Sequence, residues 1–174
     1  MEIYKPAEDS FLFQDFLDKY LSKNKVSSHL DIGTGSGILV KTSSKFLKNE
    51  NILATDINKN AVEELKKQGF NAIHSNLFKN IKGKFDLITF NAPYLPEDRR
   101  EPRDSQISTT GGKRGDEVAV KFLKQTRSHL NKGGKIFLLI SSLTPIGKIN
   151  EFNPKTVARK KLFQEELFIL EFSK

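Results

Sequence analysis

Five short apolar runs, His29 to Ile32, Ile52 to Asp56, Ala72 to Ser75, Phe85 to Asn91 and Lys135 to Ser141, alternate with segments whose apolar residues recur at helical spacing. The spacing predicts helices over about residues 37–47, 59–67 and 116–130, the second opened by Asn58 and closed by Gly69. Strand followed by helix, repeated at this interval, demands crossovers, and right-handed crossovers build a parallel sheet covered on both faces. An α/β fold is therefore expected.

The two ends of the chain depart from that rhythm. Phe13, Phe16, Leu17, Tyr20 and Leu21 predict a leading helix over about residues 9–22. At the other end, Val157 to Phe163 and Leu167 to Phe172 are strand-like runs separated only by Gln164-Glu165-Glu166, which predicts an antiparallel hairpin at one sheet edge. Between Ser142 and Lys155 there is room for one short helix, with Thr144 as its cap and Pro145 in its first turn.

With 174 residues, the chain is read as a single domain, 1–174. No apolar run approaches the roughly 18 residues of a membrane span, and Met1 leads into Glu2, Tyr4 and Glu8 rather than a basic then apolar leader. A cytoplasmic protein with no membrane association is expected. Cysteine is absent, and His29, His74 and His129 lack ligand spacing, so no metal is expected. The net charge of +8 comes from lysines spread along the chain, which reads as a solubilising surface rather than a nucleic-acid patch.

Leu30-Asp31-Ile32-Gly33-Thr34-Gly35-Ser36-Gly37 falls where the first strand turns into its helix, the place where an open α/β sheet binds ligands. Glycines there let backbone amides approach a ligand closely. The spacing is Gly-x-Gly-x-Gly after Asp31, which favours an amino-acid-bearing nucleoside over a pyrophosphate. Asp56 ends the second strand nineteen residues after Gly37, placed to accept hydrogen bonds from both ribose hydroxyls. Asn76 and Leu77, after the third strand, are the expected adenine contacts. A plain packing turn with Asp56 as a helix cap is the alternative.

After the next strand comes Asn91-Ala92-Pro93-Tyr94. An amide or exocyclic amine nitrogen is a poor nucleophile because its lone pair is delocalised. The Asn91 side-chain oxygen and the Ala92 carbonyl can hold its two N–H bonds and aim the lone pair at an electrophilic methyl. Pro93 fixes the backbone, and Tyr94 offers a flat face for a planar group. Asn91, Pro93 and Tyr94 are the candidate catalytic residues, and Asn91 to Tyr94 the candidate substrate site.

In Tyr4-x-Pro6-Ala7-Glu8-Asp9-Ser10, Asp31-x-Gly33-x-Gly35-x-Gly37, Asp56, Asn91-x-Pro93-Tyr94-Leu95-Pro96 and Gly111-Gly112-x-x-Gly115, the chain resembles the HemK/PrmC family of protein-glutamine N5-methyltransferases, in its short archaeal and eukaryotic form. The resemblance implies a class I, Rossmann-like S-adenosylmethionine-dependent methyltransferase sheet of seven mostly parallel strands. It implies that the segment from Pro6 to Ser10, with Glu8 and Ser10, closes over the cofactor, and that Asp31, Gly33, Thr34, Gly35, Gly37, Asp56, Asn76, Leu77 and Asn91 line it. The implied substrate is the Gly-Gly-Gln glutamine of a class-I release factor, and the implied partner is a small zinc-binding activator that makes a heterodimer. Two positions depart from the pattern: Ala92 replaces a proline, and Asn76 replaces an acid.

The stretch from Leu95 to Asp116 is long and charged, with Arg99, Arg100, Arg103, Lys113 and Arg114, and is expected to grip the substrate. Two further readings compete. The same tetrapeptide can hold the amine of a flipped adenine, and Ala92 is compatible with a cofactor-binding scaffold that has lost catalysis.

Overall fold

The structure, a computed structural model, describes residues 2–97 and 109–173. The chain runs α1 (Glu8–Lys23), β1 (His29–Ile32), α2 (Ile38–Ser43), β2 (Ile52–Asp56), α3 (Lys59–Lys67), β3 (Ala72–His74), β4 (Phe85–Asn91), α4 (Glu117–Thr126), β5 (Leu130–Ser141), α5 (Gly147–Asn150), β6 (Lys155–Lys161) and β7 (Glu166–Ser173). Seven strands form one sheet in the order β3-β2-β1-β4-β5-β7-β6. The first five pair in parallel, and β7 pairs antiparallel with both β5 and β6. This is the expected α/β class, with the expected hairpin at one edge.

The helices divide between the two faces. Phe13 and Leu17 of α1, Leu39 and Val40 of α2, and Val62 and Leu65 of α3 pack in one cluster with Leu87, Phe137 and Ile169 of the sheet. On the other face Phe122 and Leu123 of α4 and Ile149 of α5 pack with Leu30, Ile88, Phe90 and Leu138. Phe13, Phe122 and Phe137 are wholly buried, each stabilising the fold by roughly 1.5–3 kcal/mol relative to an exposed ring.

Strand order reverses at β1. Chain connectivity runs outward from β1 to β2 and β3 on one side, and to β4 and β5 on the other. In the register of β1 and β4, Ile32 lies opposite Phe90, so the glycine loop and Asn91 leave the sheet side by side. That crevice is the ligand position in doubly wound sheets.

Five local expectations shift. The predicted helix over 116–130 stops at Thr126 and tightens into a 3-10 turn over Arg127–His129, because buried Leu130 is already paired with Phe85 in the sheet. Strand β5 accordingly starts at Leu130 rather than Lys135. Strand β6 starts two residues earlier than Val157, and Phe163, predicted as its last residue, is the fully exposed tip of the hairpin, closed by Leu162 N–H donating to the Glu165 carbonyl at 2.8 Å. Thr144 caps no helix: α5 begins after Ile146, while the Thr144 hydroxyl donates to the Tyr94 carbonyl at 3.3 Å. Helix α2 is shorter than the expected 37–47, ending at Ser43.

Candidate active site

Gly33, Gly35 and Gly37 have φ of 62°, 52° and 77°, a left-handed region that side chains disfavour. The loop is held by Thr34 N–H donating to the Thr55 carbonyl at 2.9 Å and Gly37 N–H donating to Thr34 at 2.8 Å. A Cβ on Gly33 would sit 2.9 Å from the Phe90 ring, and one on Gly37 would sit 2.3 Å from Leu65 Cδ2. Gly33 thus admits close approach at the cavity. Gly37 instead packs the start of α2 against α3, and it is not among the residues lining the cavity.

Asp56 is buried at the end of β2. Its Oδ2 accepts the Gly35 N–H at 2.8 Å, and its Oδ1 accepts the Asn58 N–H at 2.7 Å. Burial raises its affinity for a proton, and these backbone donors pull the other way. The helix cap at this corner is Asn58, whose side chain accepts from Asn60 N–H. Its amide also donates to the Glu2 carbonyl at 2.9 Å, which ties the amino-terminal segment across the crevice.

Asp31 is buried and pushed up to about 7, first by desolvation, with the Thr89 hydroxyl bond at 2.6 Å and the nearby Thr34 hydroxyl opposing and Asp56 adding repulsion. Leu77 adopts φ of 49°, a conformation costing about 1–2 kcal/mol for a side-chain-bearing residue. The Ser75 hydroxyl donating to the Leu77 carbonyl at 2.7 Å holds it there.

These groups surround a cavity of about 420 Å³, within the range of roughly 300–1,000 Å³ typical of small-molecule sites. Of the residues proposed from sequence, Ser10, Asp31, Gly33, Thr34, Gly35, Asp56, Asn76, Leu77, Asn91, Ala92, Pro93 and Tyr94 line it. Glu8 does not: it faces outward and pairs with Lys160 on β6. Neither Pro6 nor Ala7 reaches the cavity, which the amino-terminal segment borders through Glu2, Tyr4, Asp9 and Ser10.

Asp9, read from sequence only within the Tyr4 to Ser10 motif and given no role of its own, also lines the cavity. It is buried, its Oδ2 accepts the Asn91 side-chain N–H at 3.0 Å, and its carboxylate also accepts Tyr4 Oη–H at 3.2 Å and Ser10 N–H at 2.6 Å. A signal was present: Asp9, Phe13 and Leu17 share one helix face, so a carboxylate heads an apolar stripe. Burial, the nearby Asp9 carboxylate and Glu165 all hold the Tyr94 phenol well above its usual value.

The glycine pair braces the tetrapeptide. A Cβ on Gly111 would fall 2.6 Å from the Pro93 carbonyl oxygen, and one on Gly115 would fall 2.7 Å from the Tyr94 oxygen. Gly111 N–H donates to the Leu95 carbonyl at 2.9 Å. Of the basic residues proposed to grip a substrate, Arg114 is paired with buried Asp116 at 2.5 Å, and Lys113 is exposed. Arg99, Arg100 and Arg103 lie outside the described residues.

Among the described residues, four buried side-chain atoms lack a partner: Asp31 Oδ2, Thr34 Oγ1, Asn91 Oδ1 and Thr110 Oγ1. All four residues line this cavity. An unsatisfied buried polar group costs about 1–3 kcal/mol, so a ligand that hydrogen-bonds these atoms would gain by it. A carboxylate beside the glycine loop and a second acid at the end of β2 suit a cationic nucleoside carrying an amino acid.

Comparison with known proteins agrees. Residues 14–164 match the Methyltransferase small domain family. A chain of Methanocaldococcus jannaschii assigned as a protein N5-glutamine methyltransferase is 37% identical over 97% of this chain and 90% of its own length. The chain belongs to this methyltransferase family. The mouse methyltransferase HEMK2 is 28% identical over 99% of this chain and 90% of its own. A release factor glutamine methyltransferase of Lactococcus lactis is 28% identical over 73% of this chain and 53% of its own. Among solved structures, the ribosomal protein L11 methylase of Lactobacillus delbrueckii superposes with a TM-score of 0.68 at 21% identity, covering 99% of this chain and 82% of that one. That likeness establishes the class I fold, and the methyltransferase uses S-adenosylmethionine.

Proposed function

We propose that this methyltransferase places a methyl group on the side-chain amide nitrogen, N5, of a glutamine, and that the glutamine belongs to the Gly-Gly-Gln loop of a class-I release factor. The observation that carries the reading is Asn91 Oδ1, a buried acceptor with no protein partner, on an amide whose N–H side is tied to Asp9. Such an atom suits a substrate N–H donor. The Ala92 carbonyl takes the second N–H, and Tyr94 stacks on the amide plane.

When bound, the cofactor supplies a methyl carbon made electrophilic by its sulfonium. Asp31 and Thr34 would hold its amino-acid end, Asp56 its ribose, and Asn76 with Leu77 its adenine, since all five line the cavity. With both N–H bonds held, the amide lone pair would point at that methyl carbon; the C–N bond would form as the C–S bond breaks to leave the neutral thioether, and the extra proton on nitrogen would pass to solvent. The names of the Methanocaldococcus and Lactococcus relatives support glutamine as the acceptor.

A partner completes the reading. Strand β3 is an edge strand, and Ile73 on it and Ile57 beside it are 38% and 45% exposed. A small zinc-binding subunit covering that edge hides both residues. Mass spectrometry of a Gly-Gly-Gln release factor, incubated with cofactor and with or without the co-expressed subunit, tests the proposal. A gain of one methyl on glutamine is expected; methyl label in nucleic acid alone would refute it.

A further inference from the structure

Behind the cofactor cavity, α2, β1 and β4 contribute three polar side chains to the buried interior. Ser43 Oγ lies 2.8 Å from His29 Nδ1, His29 Nε2 lies 2.7 Å from Thr89 Oγ1, and Thr89 Oγ1 donates to Asp31 Oδ1 at 2.6 Å. His29, Ser43 and Thr89 are all 0% exposed. None of the three lines the cavity, whereas Asp31 does.

The proton inventory gives the wire one direction. Thr89 has a single hydroxyl proton and donates it in a hydrogen bond to an ionised Asp31 Oδ1. The oxygen of Thr89 must then accept from His29, so the imidazole carries its proton on Nε2, and Nδ1 accepts from Ser43. Burial drives the His29 pKa down to about 3, so the ring stays neutral and offers one N–H only. Oδ1 is thereby committed, and Oδ2 has no hydrogen-bond partner in the protein; the nearby Thr34 hydroxyl, itself unpartnered, favours the charged carboxylate without closing a bond to it.

We propose that Ser43, His29 and Thr89 are positioning residues that reserve Asp31 Oδ2 for the ammonium group of the cofactor, so that this ammonium and a proton compete for one oxygen. The inference holds whichever nucleophile is methylated. Among the described residues, Asp56 is the charged group whose repulsion reaches Asp31; β4 presents Thr89, and the glycine loop presents Thr34. A bound cation lowers the proton affinity of Oδ2, and a proton there removes the attraction for the cation.

The first test needs no variant. Nitrogen-15 NMR of the wild-type protein should show His29 as the neutral Nε2–H tautomer from pH 6 to 8, with and without S-adenosylhomocysteine. An Nδ1–H tautomer, or titration of the ring in that range, overturns the wire. The second test is calorimetric titration of S-adenosylhomocysteine, which keeps the ammonium and lacks the sulfonium. Wild-type affinity should fall below neutral pH with a slope approaching about tenfold per pH unit.

Thr89→Val should weaken binding about tenfold at pH 7 and move the midpoint of the profile upward, while Thr89→Ser restores both. His29→Leu, which leaves the Thr89 hydroxyl free to turn from Oδ1, should move the midpoint in the same direction. A lower melting temperature with an unchanged midpoint in either variant would show that the three residues merely fill space.

Discussion

The side-chain amide of Asn91 donates to the carboxylate of Asp9 at 3.0 Å, joining the end of β4 to the start of α1 across 82 positions of sequence. An amide can flip, exchanging its oxygen and nitrogen. Because the carboxylate accepts only, this contact allows one orientation, with Oδ1 left as the free acceptor.

Replacing Asp9 by Asn removes that discrimination, since an amide can present either a donor or an acceptor to Asn91. Methyl transfer should fall about 10–100-fold, the order seen when the partner that orients a metal ligand is lost. Cofactor affinity measured by calorimetry should change less than threefold. Asn91→Ala should cost more, on the order of 100–1,000-fold in kcat. Equal losses of turnover and cofactor binding in Asp9→Asn would mean that Asp9 serves the cofactor directly.

Gly111→Ala places a Cβ 2.2 Å from the Gly115 oxygen and 2.6 Å from the Pro93 oxygen. Backbone on both sides must move, and the tetrapeptide moves with it. Turnover should drop at least tenfold, on the order of the penalty for an ångström of misplacement at a reacting centre. Gly133→Ala is the comparison: Gly133, unlike Gly111, sits at positive φ, 77°, but has open space around it. It should cost only about 1–2 kcal/mol of stability, with kcat unchanged in steady-state assays.

Stability should respond to pH through Asp31 in a predictable direction. Its folded value of about 7 lies above the model-peptide value of 3.8, so the native state binds the extra proton between those two. Its contribution therefore weakens as pH rises from about 4 towards 7 and is flat above. Asp31→Asn should accordingly raise the melting temperature more at pH 8 than at pH 5, while weakening cofactor binding. A uniform rise at both pH values would show that the carboxylate is not desolvated. His29 acts oppositely, losing stability as pH falls from 6.5 towards its depressed value of about 3.

Asn58→Ala removes a helix cap and the tie to the Glu2 carbonyl together. The cap alone should cost roughly 1 kcal/mol in denaturant titration. Losing the tie releases the segment carrying Glu2 and Tyr4 from the cavity wall, so the dissociation rate of S-adenosylhomocysteine should rise several-fold in stopped-flow measurements. Asn58→Ser, which can still cap, should recover the stability and not the rate.

Periodicity and turn chemistry were enough to reveal the strands β1 to β4, the crossover helices, the terminal hairpin and the two loops that line the cavity, because these are set by neighbours within a few positions. Boundaries slipped where a distant partner competed. Leu130 left its helix for Phe85 of the sheet, and the Thr144 hydroxyl left its expected cap for the Tyr94 carbonyl. Glu8 and Asp9 are adjacent acids at a helix start and look equivalent in sequence. Only the packing of α1 on the sheet sends one to Lys160 at the surface and buries the other against Asn91. The same holds for His29, which reads as an isolated histidine until α2 and β4 bring Ser43 and Thr89 to its two nitrogens. Composition and spacing determined which groups the site contains; tertiary packing decided which of their atoms are already satisfied and which remain free for a ligand, because partners far apart in sequence compete for each buried donor and acceptor.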